Sequence, residues 1–236
     1  MNIHRITYNP KEESCSLYFI GCNFRCTACY WKQIYGRVDF KKLRFLALDE
    51  TIEILRPVSP KRVCIISGEP RACDEFDRLP KALFDVFGCE VRLMTNGYLL
   101  PSIEGLGHAS VSLKAFSEEV HKRYTGRSNR TTFENFRYIH QKGIDLSASS
   151  VLIPDHIGKD EIVKIAQFIA SVDTDIPYRI IGYMPVDGLS FRRPSCEELE
   201  EAADAAGKYL RKVVFSSPQE HDYTGIRDLF TNHLRK

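Results

Sequence analysis

The sequence has no uninterrupted apolar run near the roughly 20 residues that a membrane-spanning helix needs. Its first residues, Met1-Asn2-Ile3-His4-Arg5, lack the apolar core of a signal peptide. Net charge is slight: 33 Lys and Arg against 31 Asp and Glu leave +2, and no basic block interrupts the chain. Neither nucleic acid nor a membrane is therefore an expected partner. Repeats, low-complexity tracts and flexible linkers are missing too, so residues 1–236 are expected to form one domain. Histidine is absent between His4 and His108. Together these absences point to a cytoplasmic protein, a compartment in which eight cysteines do not form a disulfide framework.

Three of those cysteines are crowded: Cys22, Cys26 and Cys29, directly after the apolar run Leu17-Tyr18-Phe19-Ile20. A tight thiol cluster in a reducing compartment suggests metal or catalysis. The other five (Cys15, Cys64, Cys73, Cys89, Cys196) are scattered and read as small buried hydrophobes. A structural zinc site takes four protein ligands, and no histidine or further cysteine stands close enough to complete one. A zinc with three thiolates and an open position fits the spacing. So does a four-iron cluster with one iron left open. Spacing alone does not choose between them.

Short β-branched runs alternate with amphipathic segments. Strands are predicted near 15–21, 62–67, 90–95, 109–114, 145–152 and 178–184, each followed by a helical pattern. Helices are predicted at 49–55, at 76–87 ending on Gly88, and from a capping box at Thr131-Thr132-Phe133-Glu134 to near Gly143. Two more are predicted over 161–169 and from Ser195-Cys196-Glu197-Glu198. Strand–helix alternation at this spacing argues for parallel β/α units. A full eight-unit barrel takes about 250 residues, so a partial barrel of about six units, an α/β fold with outer helices, is expected. In such folds the chemistry collects after the C-terminal ends of strands. The cysteines, Ser67-Gly68-Glu69-Pro70, Thr95-Asn96-Gly97, Lys114, Pro154-Asp155 and Met184-Pro185 all obey that rule.

Cys22-x-x-x-Cys26-x-x-Cys29 after a first strand resembles the signature of the radical S-adenosylmethionine (SAM) enzymes. Ser67-Gly68-Glu69-Pro70 resembles that family's Gly-Gly-Glu-Pro segment. Four further segments follow in order: Leu93-Met94-Thr95-Asn96-Gly97-Tyr98, Ser112-Leu113-Lys114-Ala115-Phe116, His121-x-x-Tyr124-Thr125-Gly126 and Val151-Leu152-Ile153-Pro154. They are similar to the activating enzymes of glycyl-radical enzymes, of the pyruvate formate-lyase activase type. The resemblance implies an oxidoreductase with a [4Fe-4S] cluster on the three cysteines and SAM on its open iron. One electron splits the sulfonium, and a 5′-deoxyadenosyl radical abstracts hydrogen, here from the glycine of a partner glycyl-radical enzyme. It further implies an anaerobic setting and an electron donor such as flavodoxin or ferredoxin.

The same resemblance assigns residues. Glu69 meets the methionine ammonium and Gly68 allows close approach, with Ser67 beside it. Asn96 lies near SAM, Lys114 pairs with its carboxylate, and Ser112, Val151 and Met184 line the site. Tyr30 and Trp31 flank adenine or shield the iron. Departures are plain as well. Tyr8-Asn9-Pro10-Lys11 stands where activases carry Asp-Gly-Pro-Gly, Met94 and Ser112 replace two aspartates, Ala28 replaces an aromatic, and Tyr30-Trp31 replaces His-Asn. A cation held by those carboxylates is not expected. The departures keep a second class open: a radical SAM enzyme modifying a small molecule, cofactor precursor or peptide. A non-enzymatic zinc or iron–sulfur protein is the third. In the tail, Gln219 to Gly225 reads as a turn, with His221 and Asp222 as weaker catalytic candidates, before a basic last helix bearing Arg227, His233, Arg235 and Lys236.

Overall fold

A computed structural model of the protein describes residues 1–31, 42–217 and 224–232. It contains nine strands in one open sheet of order β8-β7-β6-β5-β4-β3-β2-β1-β9. The strands are β1 (Ile3–Asn9), β2 (Ser14–Phe19), β3 (Arg62–Ile66), β4 (Glu90–Thr95), β5 (His108–Ser112), β6 (Asp145–Leu152), β7 (Tyr178–Gly182), β8 (Val213–Ser216) and β9 (Arg227–Thr231). From β2 to β8 every neighbouring pair is parallel. β1 runs antiparallel to β2, and β9 antiparallel to β1. The two ends of the sheet do not pair, so the barrel is partial, as expected.

Among the described residues six α-helices occur: α1 (Leu48–Leu55), α2 (Leu79–Phe87), α3 (Glu118–Thr125), α4 (Arg130–Gln141), α5 (Lys159–Val172) and α6 (Cys196–Gly207). Their apolar stripes and alternate strand residues share one core, with Leu17, Ile65, Leu93, Val111, Ala148 and Ile180 facing Leu55, Leu83, Phe136, Ile165 and Ala202. The other residues of each strand are less buried and form the concave face. No helix among the described residues is long and apolar enough to cross a membrane.

All six predicted strands are present. Three more lie outside the predicted set: β1 and β9, which pair antiparallel at one side of the sheet, and the short β8, which follows α6 and pairs parallel with β7 at the other. The predicted basic last helix is not formed over Arg227–Thr231. That stretch is β9, because β1 offers it an open edge and Asp228 accepts an ion pair from Arg5. His221, Asp222, His233, Arg235 and Lys236 lie outside the described residues. The rule of one helix per strand fails between β4 and β5, where residues 96–107 hold none.

Ser195 does open α6 with a reciprocal box, accepting from Glu198 N at 3.1 Å while Ser195 N donates to Glu198 Oε2 at 2.8 Å. The box expected at Thr131 is not formed. α4 starts at Arg130, and Thr132 instead turns its hydroxyl to Asn96 O, a tertiary bond that local spacing does not reveal. Cys15, Cys73 and Cys89 are buried as expected, but two cysteines differ. Cys64 falls on the concave face and is half-buried, and Cys196, at the start of α6, is exposed.

Candidate functional site

The loop after β2 is shaped by close backbone packing. Glu69 N donates to Gly21 O at 2.8 Å, tying the turn after β3 to the residue before Cys22. Ser67 and Gly68 both adopt positive φ, +69° and +56°. A Cβ on Gly68 would stand 2.3 Å from Gly21 O, so only glycine permits this approach. The Ser-Gly-Glu turn and the cysteine loop are therefore built against each other.

Glu69 is 2% exposed. Its Oε1 accepts from Thr95 Oγ1 at 2.7 Å, and its Oε2 from Asn96 N at 2.7 Å. Burial pushes its carboxyl above the usual range, against the opposing pull of those donors and of Lys114. Asn96 in turn donates from Nδ2 to Asn23 Oδ1 at 2.7 Å and to Cys22 Sγ at 3.7 Å, and Phe24 N donates to the same sulfur at 3.4 Å. One chain of bonds thus links the acid after β3, the turn after β4 and the first cysteine.

Beside it lies a cavity of about 260 Å³ walled by Cys26, Cys29, Tyr30, Lys114, Val151 and Met184, with Trp31, Tyr124, Ile181 and Tyr183 completing the wall. A larger, more open depression of about 480 Å³ lies far along the sheet at α6 and β8 and holds none of the candidate residues. Burial raises the Cys22 thiol and raises Cys26 to about 11, and the Lys114 charge opposes both shifts. Lys114 Nζ donates to Ser112 Oγ at 2.7 Å, and among the described residues it makes no ion pair. Tyr124 is held well above the ordinary phenol range, by burial first and by Cys26 and Cys29 next.

The residues predicted to hold the cluster and SAM lie at this rim, while His221 and Asp222 are outside the described residues. Lys114 sits two residues beyond β5 and Met184 two beyond β7, rather than inside the strands. Asn23 and Tyr183 were not singled out from sequence, and Thr95 and Tyr124 stood within motif segments without a role of their own. Tyr183 follows β7 in an apolar run with no motif around it. The residues suit a soft, multi-atom group: three thiols, with an unpaired cation and a buried acid nearby. Among the described residues no three His, Cys, Asp or Glu side chains converge on a single-ion site.

The profile of the Radical SAM superfamily matches residues 17–169, spanning the cysteine loop through α5. The chain belongs to the radical SAM superfamily. It is thereby an enzyme of the radical SAM type, whose family uses a [4Fe-4S] cluster and SAM. A Methanocaldococcus jannaschii protein, provisionally named a glycyl-radical enzyme activating enzyme, is 30% identical over 88% of this chain and 82% of its own length. A GTP 3′,8-cyclase from Staphylococcus saprophyticus is 30% identical over 70% of this chain. The chain spans only 52% of that cyclase. A radical SAM methyltransferase from Sphaerobacter thermophilus superposes with a TM-score of 0.70 at 16% identity, covering 94% of this chain and 72% of its own, and shares the fold.

Proposed function

We propose that this radical SAM enzyme activates a glycyl-radical enzyme by abstracting hydrogen from a glycine of that partner. The relative named for that activity carries the proposal, because its likeness extends over 82% of its length rather than over the superfamily core alone. When bound, the cluster and SAM supply a 5′-deoxyadenosyl radical that abstracts hydrogen. The chain's own residues hold and shield. Cys22, Cys26 and Cys29, as thiolates, ligate the cluster, and the nearby Lys114 charge favours the ionised form of Cys22 and Cys26.

Glu69 supplies negative charge for the methionine ammonium, and Lys114 supplies positive charge for the carboxylate. Asn96 and Ser112 orient these two groups through the bonds described above. Ser67 and Gly68 shape the turn that presents Glu69. Tyr30, Val151 and Met184 close the cavity against water beside Tyr124 and Tyr183.

We read residues 1–236 as one domain, because one large core cluster gathers side chains from Met1 to Leu210, with a smaller one beside the cysteine loop. The reducing cytoplasm is its compartment, since disulfide formation would consume the ligating thiols. A flavodoxin or ferredoxin is the electron donor in this reading. A second reading, modification of a small molecule, cofactor precursor or peptide, is favoured by the likeness to the GTP cyclase.

The deciding test begins with anaerobic loading with iron and sulfide. The protein is then reduced with SAM, first alone and next with a glycyl-radical enzyme from the same organism. We expect 5′-deoxyadenosine in both cases and a glycyl radical signal by electron paramagnetic resonance in the second. 5′-Deoxyadenosine without any glycyl signal would move the function to the second reading. A Cys26→Ala variant that still assembles the four-iron spectrum would refute the ligand assignment.

A further inference from the structure

The cysteine loop is gripped from outside the cavity by α3, a helix that carries none of the residues predicted from sequence as site residues. Arg25 N donates to Thr125 O at 2.8 Å and Thr27 N donates to Tyr124 O at 2.9 Å. Those carbonyls belong to the last turn of α3, where the helix has no N–H donors of its own to offer them. Gly126, at φ +78°, ends the helix and lets the chain double back. The loop between Cys22 and Cys29 thus receives its backbone partners from a helix end.

Two side chains complete the grip. Phe24, buried within the loop, meets His121 edge-on at 5.5 Å and Tyr98 edge-on at 5.5 Å. His121 is 1% exposed, and its Nδ1 lies 2.8 Å from Arg127 O. A carbonyl only accepts, so Nδ1 carries the proton. Its Nε2 is buried with no hydrogen-bond partner, which fits a neutral ring. The Thr125 hydroxyl closes the same corner, donating to His121 O at 2.8 Å and accepting from Arg127 N at 3.1 Å.

We propose that His121 is a positioning residue for the cluster loop: its Nδ1–H bond to Arg127 O locks the C-terminal turn of α3, whose carbonyls of Tyr124 and Thr125 set the path of the chain between Cys22 and Cys29. The consequence for the cluster rests on the ligand reading above, whereas the clamp itself does not. A loop shaped in advance does not have to be ordered when iron arrives, so loading proceeds without that entropic cost.

Hydrogen exchange on the protein before loading tests the clamp directly. His121→Phe keeps a ring against Phe24 and removes the donor. We expect the Arg25 and Thr27 amides to exchange about tenfold faster, the weight of one hydrogen bond, while amides of β3 to β5 stay unchanged. His121→Asn places an amide N–H near the position of Nδ1 and is expected to restore both slow exchange and the wild-type rate of iron uptake. Equal exchange in the Phe and Asn variants, or unchanged exchange at Arg25 and Thr27 in the Phe variant, would overturn the proposal. Should His121→Phe fail to fold, Phe24→Leu loosens the same contact from the loop side and is expected to free the same two amides. Slow exchange there would also overturn it. Cys26→Ala, run in parallel, separates the two levels: cluster retention in that variant defeats the ligand reading while the amide rates still judge the clamp.

Discussion

Replacing Glu69 with Gln should weaken SAM binding while leaving the fold as stable or more so. A carboxylate offers about four acceptor positions. Thr95 Oγ1 and Asn96 N each take one at 2.7 Å, and Arg71 N takes a third at 3.4 Å. The fourth is left for an ammonium. Glutamine keeps the shape: its oxygen can accept from Asn96 N, its nitrogen can donate to Thr95 Oγ1, which already accepts from Gly97 N at 3.0 Å and has a second lone pair, and only the long Arg71 N contact loses its acceptor. What is lost is one charged hydrogen bond, about 1.5 to 3 kcal/mol, or about 10- to 100-fold in SAM affinity.

Stability moves the other way. Burial raises the Glu69 pKa above its ordinary value of about 4.5. The folded state therefore binds the proton more tightly than the unfolded state. The stabilisation this brings is complete below about pH 4.5 and is lost as pH rises through the folded value. Glutamine has no such loss. Urea unfolding of the unloaded protein should show the variant gaining on wild type as pH rises toward neutrality. Calorimetric titration of the loaded protein with SAM gives the affinity. Unchanged affinity would remove Glu69 from the site, and a variant that loses ground with rising pH would refute the burial argument.

Three further outcomes are expected. Lys114→Ala should weaken SAM binding by about tenfold, as loss of one charged contact, and should slow iron loading near neutral pH because its charge no longer opposes the raised Cys22 and Cys26 thiols. Raising the pH should recover loading but not affinity, and wild-type behaviour on both counts would exclude the lysine. Gly68→Ala adds a Cβ 2.3 Å from Gly21 O at positive φ. It should lower stability by at least about 1 to 3 kcal/mol, read as a fall in melting temperature. His4 packs edge-on to Trp31 and Tyr18 and is lowered to about 4, by burial first and Arg5 next. Its folded state binds fewer protons than the unfolded one, so stability is present above about 6.5 and is lost as pH falls toward 4. His4→Phe should flatten that acid slope, and an identical slope would show that another group causes it.

The cysteine spacing, the six helix-separated strands and the order of the loop motifs were legible because each is a local pattern. Alternation in Arg62–Ile66, the apolar stripe of α5 and the box at Ser195 depend on residues within a few positions of one another. The edge strands β8 and β9, and β1 beside β9, were not legible, since such strands exist through the neighbours that complete their hydrogen bonds. Thr131 shows the same limit from the other side: with Glu134 three residues on it suggests a cap, but the helix already begins at Arg130. By itself the sequence determined which chemistry the chain carries, since thiols, an acid and a lysine at strand ends are covalent facts. The tertiary structure decided which of them meet and how they ionise. The parallel register draws Lys114, Val151 and Met184 to one cavity wall. Burial, a sum over neighbours from distant segments, raises Glu69 and Cys26 and lowers His121.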